Sequence, residues 1–342
     1  MRKLGPAAEA RPEVRIDRSD VGRRVSVRSL DAVRDTATGR PVFRDVIGLL
    51  TSWDDHGLTV VRRDNTVAEI ADAALVAGKV VPLFPARRAP LPEATPVELQ
   101  RIAARGWPAV EQEPLGEWTL RASAGFTRRA NSVQALGDPA LPLPQALDRV
   151  RQWYADRGLP ALIEVTSPGS PEGLVAELER LGAGLDQTLV RTAPIAPLTK
   201  VGRAPERVRL SRTAGPRWLS AYRRAGGDPA LDAAAAQVLH GGPSVWFATV
   251  PAADPDDTPL AIGRGVIDGA WACFAAIEVQ PAARRQGLAG SVMAVLAARA
   301  AEEGATGGYL QVEAENAAAI ALYDGLGFTT SHTYHYARLP RS

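Results

Sequence analysis

The stretch WACFAAIEVQPAARRQGLAGSVMAVLAAR, residues 271–299, decides the reading of the chain. Its first nine residues are aromatic, β-branched or small at nearly every position, the pattern of a strand buried on both faces. Leu288, Val292, Val295, Leu296 and Arg299 then fall at helical spacing, with alanine filling between them. Between strand and helix stand Arg284, Arg285, Gln286 and the small residues Gly287, Ala289 and Gly290. A helix N-terminus leaves its first N–H groups unpartnered, and its macrodipole favours an anion there by about 0.3–1 kcal/mol. Basic side chains at that end oppose the dipole, so a bound phosphate accounts for them better than a solvated first turn does. The main-chain N–H groups from Gln286 to Ser291 are the expected donors. Gly287, Ala289 and Gly290 allow close approach of the phosphate, and Arg284 and Arg285 add charge-assisted contacts.

At 342 residues the chain has room for two or three domains, and 46% hydrophobic with 23% charged residues is the balance of a soluble globular protein. A formal net charge of +2 is too small to point to nucleic acid or an anionic membrane. The first ninety residues nonetheless carry sixteen basic against twelve acidic side chains. No apolar run reaches the roughly 18 residues of a membrane span, and MRKLGPAAEARPEV lacks the apolar core of a secretory signal. A cytoplasmic protein with no membrane partner is expected. The single cysteine, Cys273, lies in the buried-looking strand, excludes an internal disulfide and argues against a covalent intermediate. Four scattered histidines and one cysteine lack metal-ligand spacing, so no metal site is expected.

Residues 1–18 alternate charge with Pro and Ala and read as a flexible tail. From 19 to 86, GRRVSVRSL, RDVIGLLTSWD, GLTVVRRD and TVAEI read as short strands of a small SH3-like barrel, with His56 in a turn. Such a barrel packs on a neighbour or meets a protein partner. Prolines make 87–97 a linker, and TAPIAPLTKVGRAPER makes 196–206 a second. Residues 98–195 and 207–340 are both mixed α/β, and in the first of them EWTLRAS and TRRANSVQAL read as strands. ADRGLPALIEV, PEGLVAELERLGAG and QTLVRTA repeat the order of AEEGATGGYLQVEA, NAAAIALYDGLGF and TYHYARL, which suggests an internal repeat. The first copy has Pro171 near the place of Asn316, Leu178 near that of Tyr323, and no RRxGxA-type turn. It reads as a structural half.

VQPAARRQGLAGSVM followed by LQVEAENAAAIALYDGLGF resembles the GNAT superfamily of acetyl-CoA-dependent N-acetyltransferases. Arg284, Gly287 and Ala289 meet its Arg/Gln-x-x-Gly-x-Gly/Ala signature, and Asn316, Tyr323, Gly327 and Phe328 meet its second motif. The resemblance covers about residues 206–340. The degenerate-plus-complete arrangement is similar to mycothiol synthase and related actinobacterial acetyltransferases. The resemblance implies an α/β (α+β) GNAT fold in tandem, each half a mixed, mostly antiparallel sheet with flanking helices. It implies transfer of acetyl from acetyl-CoA to a primary amine of a small molecule, peptide or protein by direct attack. It also implies a splayed strand whose backbone at Ile277 and Val279 pairs with the pantetheine arm and can hold the thioester oxygen. Asn316 is implied as helix cap and cofactor contact, and Tyr323, two helical turns on, as cofactor contact and acid to the CoA thiolate.

An ammonium must lose a proton before it attacks, so a carboxylate is expected nearby. Glu278, Glu313 and Glu315 lie near the strand ends. Glu278 alternates against Ile277 and Val279 and should face away, and Cys273 stands where some family members place a glutamate earlier on this strand. Glu313 is therefore the favoured base. His332 and His335 are alternatives, though such residues are more often surface or core. His240 and a wall of Trp218, Trp246, Trp271 and Tyr334 are candidates for the acceptor side. Two other functions stay open at this stage: an acyl-CoA-binding regulator without turnover, and a nucleic-acid- or ribosome-associated protein acetyltransferase docking through the barrel. The small net charge argues against a nucleic-acid partner.

Overall fold

A computed structural model describes residues 14–34, 41–62, 66–81, 91–224, 228–254 and 256–340. The chain divides into two compact units, Met1–Pro85 and Ala86–Ser342. The first is a five-stranded antiparallel sheet of β1 (Arg24–Arg34), β2 (Pro41–Trp53), β3 (Gly57–Arg62), β4 (Val67–Ala71) and β5 (Leu75–Val80), in the order β4-β3-β2-β1-β5. Alternation puts Val25, Val27, Val46, Leu50, Leu58 and Val60 on one buried face. The expected flexible tail is only partly within the described residues. Residues 14–18 of it are packed, with Ile16 buried and the Arg15 amide donating to the Gly78 carbonyl at 2.7 Å.

The second unit holds α1 (Pro96–Gly106), β6 (Glu111–Leu115), β7 (Trp118–Ala122), β8 (Val133–Gln134), α2 (Leu143–Ala155), β9 (Leu162–Ser167), α3 (Leu174–Arg180) and β10 (Leu185–Pro194). There follow α4 (Ile195–Leu198), β11 (Arg209–Ser211), α5 (Pro216–Ala221), α6 (Pro229–His240), β12 (Ser244–Val250), β13 (Ala261–Asp268) and β14 (Trp271–Val279). The chain ends in α7 (Leu288–Glu302), β15 (Gly307–Glu313), α8 (Ala317–Gly325) and β16 (Thr329–Arg338). All its strands form one sheet, β11-β12-β13-β14-β15-β10-β16-β9-β8-β7-β6. Pairing is antiparallel except at β14–β15 and β8–β9, so the sheet is mixed and mostly antiparallel, with helices on its faces. TRRANSVQAL is not the long strand expected: a 3₁₀ turn at Arg128–Ala130 precedes a two-residue β8.

The centre of the sheet joins distant parts of the chain. β10 pairs with β15 on one side, from Thr188 opposite Glu313 to Pro194 opposite Gly307, and with β16 on the other. β16, the last strand of the chain, pairs in turn with β9, from Thr333 opposite Ser167 to Arg338 opposite Leu162. The stretch 196–206 is no loose linker. α4 buries Ile195 and Leu198 in the core that α7 shares with β12–β15, because a segment leaving β10 at the sheet centre must cross packed apolar surface. Buried arginines, two of them Arg264 and Arg121, join distant segments. Arg264 donates to carbonyls at the C-terminal ends of α1 and α6, at 2.8 Å to Gly106 O and 2.6 Å to Leu239 O. Burial pushes its pKa down to about 10, which leaves it charged at neutral pH.

Arg121, the second, meets Glu164 at 2.7 Å with side chains 4% and 3% exposed. Gln100 and Ser132 complete the carboxylate and guanidinium hydrogen bonds. No helix among the described residues is long and apolar enough to cross a membrane. Arg121→Ala strands a buried carboxylate and is expected to cost about 3–5 kcal/mol in urea unfolding. A loss below about 1 kcal/mol would show that Glu164 is neutral in the fold, since only a charged partner makes removal that expensive.

Candidate active site

The ladder between β14 and β15 stops early. Trp271, Ala272 and Cys273 face Gly307, Gly308 and Tyr309, and beyond them the two parallel strands diverge. At the same place β14 carries a bulge: Ala276 has φ +51°, and its register against β13 shifts between Ile262 and Arg264. The opening leads into a cavity of about 930 Å³. Ile277 and Val279, expected on this edge, line it. So does Glu278, which alternation had turned away; the bulge breaks the two-residue period on which that expectation rested.

The turn into α7 closes one end of the cavity. Arg285 and Gly287 have φ +60° and +79°, so the backbone is left-handed at both, and the glycine adopts it without penalty. The first main-chain bond of α7 runs from Ser291 N–H to Gly287 O at 3.1 Å. The N–H groups of Leu288, Ala289 and Gly290 precede it and are the free donors of the helix start. Arg284, Arg285, Gly287, Ala289 and Gly290 line the cavity, but Gln286 and Ser291 do not. Gln286 folds back towards the Ala282 carbonyl at 3.4 Å. Ser291 is buried, with its amide committed to the helix and its hydroxyl accepting from Ala204 N–H at 3.2 Å. The residues after α4 form a strap over this turn. A Cβ on Gly202 would stand 2.6 Å from Ser291 Cα, and Arg203 lies against Gly287. Gly290 is small because Gly202 packs on it, a constraint the phosphate reading did not contain.

α8 supplies the opposite wall. Asn316 caps it, Oδ1 accepting from Ala319 N–H at 3.1 Å, and also lines the cavity. Tyr323 lines it too, edge-on to Phe328 with ring centres 5.8 Å apart. Burial pushes the Tyr323 phenol up to about 12, so it stays protonated at neutral pH. Glu313, the expected base, is exposed and paired with Arg128 at 2.6 Å; Arg128 also holds Asp186 at 2.7 Å. Glu278 is half-buried, with Arg223 at 3.7 Å, and burial raises its carboxyl above the ordinary range against the pull of Arg223 and Arg224. Glu315 lies outside the cavity lining.

Of the proposed aromatic wall only Tyr334 faces the cavity. Trp218 is buried and donates to Ala248 O at 3.2 Å, Trp246 donates to Glu303 at 2.7 Å, and Trp271 is core. His240 accepts from the Ala214 amide at 3.0 Å, while burial lowers His332 to about 4; neither histidine nor His335 reaches the cavity. Cys273 is buried, and burial raises its thiol, away from nucleophilic use. Cavity-lining residues that the sequence did not single out include Trp107, Arg128, Arg129, Tyr222 and Tyr336. Among the described residues, no cluster of three His, Cys, Asp or Glu could hold a metal ion. Arg128, Arg129, Arg203, Arg223, Arg224, Arg284 and Arg285 line the cavity against two carboxylates, Glu278 and Glu313.

A helix N-terminus facing a diverging strand is what the resemblance to the GNAT superfamily implies, and the relatives are acetyltransferases by name. A GCN5-related N-acetyltransferase from Kribbella flavida has the same fold, with a TM-score of 0.51 and 18% identity over 72% of this chain and 95% of that one. The uncharacterized N-acetyltransferase YobR of Bacillus subtilis is 28% identical over 258 residues, 70% of this chain and 96% of that protein. The probable histone acetyltransferase Rv0428c of Mycobacterium tuberculosis is 28% identical over 321 residues, 92% of this chain and 94% of that one. The protein is an acetyltransferase of the GNAT type. With residues 97–337 matching its model, the chain belongs to the family described as probable histone acetyltransferase Rv0428c C-terminal. Residues 16–95 match a domain of unknown function, DUF6725.

The strap makes a testable demand. Gly202→Ala, with φ +87° and a backbone clash on α7, is expected to weaken acetyl-CoA binding about tenfold or more by calorimetry, because it moves the N–H donors. Wild-type affinity would mean that the strap does not hold the turn.

Proposed function

We propose that the protein transfers the acetyl group of acetyl-CoA to a primary amine by direct attack, in the cavity between β14, α7 and α8. The observation that carries this reading is the meeting of an unpaired strand edge and a helix N-terminus in one cavity, with a protonated tyrosine on the facing wall. The N–H groups of Leu288 to Gly290, with Arg284 and Arg285, bind the pyrophosphate. The edge at Ile277 and Val279 pairs with the amides of the pantetheine arm, and a free N–H there holds the thioester oxygen. Glu278 replaces Glu313 as the base: its raised pKa lies nearer that of a working general base, whereas Glu313 is committed to Arg128. The amine nitrogen forms a bond to the carbonyl carbon and gives up its proton to Glu278, directly or through water. As the oxyanion collapses the carbon–sulfur bond breaks, and the thiolate takes a hydrogen bond or a proton from Tyr323.

The same reading extends to the architecture. β8–β9 and β14–β15 are parallel pairs, each followed by a helix and then by one of the two interleaved strands. This order supports a tandem pair of GNAT-like halves, of which residues 98–195 carry no anion turn. The strand order and single buried face of the first unit support an SH3-like barrel, a module suited to a protein partner.

Tyr323→Phe is expected to lower kcat about 10²-fold or more, with acetyl-CoA affinity nearly unchanged, as read by free-thiol release and calorimetry. The pH–rate profile should fall on the acid side as Glu278 is protonated, at a pH above the ordinary carboxylate range because burial raises its pKa. Glu278→Gln should remove that limb and cost about 10²–10⁴ in kcat. An unchanged limb would move the base elsewhere.

A further inference from the structure

Among the described residues, the cavity arginine Arg129 is stacked on an aromatic ring and forms no ion pair with a carboxylate. The Arg129 guanidinium lies over the Trp107 ring at 4.6 Å, and its electrostatic neighbours are Tyr222, Tyr334, Tyr336 and the Cys273 thiol. The other cavity arginines lie at the α7 turn or act on a carboxylate, Arg224 through its pull on Glu278. Arg203, Arg284 and Arg285 belong to the α7 turn, Arg128 is paired with Asp186 and Glu313, and Arg223 faces Glu278.

The support beneath Arg129 is elaborate for a chance surface residue. Thr127, a β-branched residue, is held at φ +58°. The buried Asn131 side chain fixes this loop: Oδ1 accepts from Ser123 and Gly125 N–H at 2.8 and 2.9 Å, and Nδ2 donates to Phe126 O and Thr127 O at 2.7 and 2.9 Å. Trp107 donates its indole N–H to Thr127 Oγ1 at 3.0 Å and has Arg264 against its ring at 4.9 Å. Stacking on an aromatic face leaves the edge of a guanidinium free for in-plane hydrogen bonds, the geometry that grips a carboxylate or phosphate with two bonds.

We propose that the acceptor is a small primary amine carrying its own oxyanion, a carboxylate or phosphate a few bonds from the nitrogen, and that Arg129 binds that oxyanion. This rests on the acetyl-transfer reading above. The anion anchors one end of the acceptor on the Trp107 side and directs its amine towards the β14 edge. The surrounding positive charge also favours the neutral amine that attacks over the ammonium that cannot. A lysine-rich peptide brings like charge to a half-buried guanidinium and is disfavoured.

The test uses the full-length protein with acetyl-CoA and reads free-thiol release. L-phenylalanine is compared with its carboxamide, O-phosphoethanolamine with ethanolamine, and all four with a lysine-rich histone-tail peptide. At least one oxyanion-bearing amine should exceed its neutral analogue about tenfold or more in kcat/KM, and the pair that does so identifies the anion. Arg129→Gln should erase that preference chiefly through KM, with acetyl-CoA affinity and melting temperature maintained, while Arg129→Lys retains part of it. Equal or better use of the neutral amines or the peptide, or a preference that survives Arg129→Gln, overturns the proposal. Calorimetry of the same amines with the CoA-bound protein separates the two readings. Arg129-dependent binding without turnover would sink acetyl transfer and keep the anion site, and turnover without Arg129 dependence would do the reverse. If there is neither turnover nor Arg129-dependent binding, both fall.

Discussion

A strand edge left unpaired inside a sheet is the constraint on which the rest of this structure depends. Backbone N–H and C=O groups need partners, and β14 loses those on its β15 side after Cys273. The bulge at Ala276 turns the strand at the same point, so the gap widens into a cavity instead of closing by side-chain packing. Everything placed around that gap meets one of its needs. The α7 start brings donors for an anion, α8 brings a phenol held protonated by burial, and Glu278 comes to the opening because the bulge reset its direction. An edge of this kind is stable when something extended, with amides of its own, lies along it.

The block that reads as merely structural contributes to the cavity wall. Trp107, Arg128 and Arg129 come from the chain before β8, and Tyr334 and Tyr336 stand on β16 beside β9. The wall opposite the α7 turn is thus shared, with Trp107, Arg128 and Arg129 from the earlier part of the chain and Tyr222, Tyr334 and Tyr336 from the later part. Residues 98–195, which carry no anion turn, still reach the site through Trp107, Arg128 and Arg129.

What was legible in the sequence is what chemistry concentrates locally. The turn at Arg284–Gly290 and the Asn316–Tyr323 helix lie each within a dozen residues, and their spacing alone places them on a strand–turn–helix and a capped helix. Three kinds of feature were not legible. Glu278 depended on a bulge centred on alanine, a residue that gives no bulge signal. The strap at 202–204 looked like a linker because its proline- and glycine-bearing composition is the same whether it is solvated or packed on α7. The positions of β10 and β16 are non-local: nothing within either strand states that its neighbours lie more than a hundred residues away in the chain. Arg129 combined the last two difficulties, in a segment whose alternation suggested a strand and whose partners come from four distant elements.

The interleaving of β10 and β16 also orders the birth of the molecule. Synthesis runs from the N-terminus, and an ordinary leading domain can complete its core while the rest is still being made. Here β9, which pairs with β8 on one side, cannot gain its second neighbour until residues 329–338 have left the ribosome, because that neighbour is β16. β10, made long before, must wait with both edges open for β15 and then for β16. The earlier block therefore spends most of translation as an unfinished sheet, and the final ten-residue strand closes both halves at once. A chain cut short before β16 therefore lacks more than an edge: it also loses Tyr334 and Tyr336 from the cavity wall.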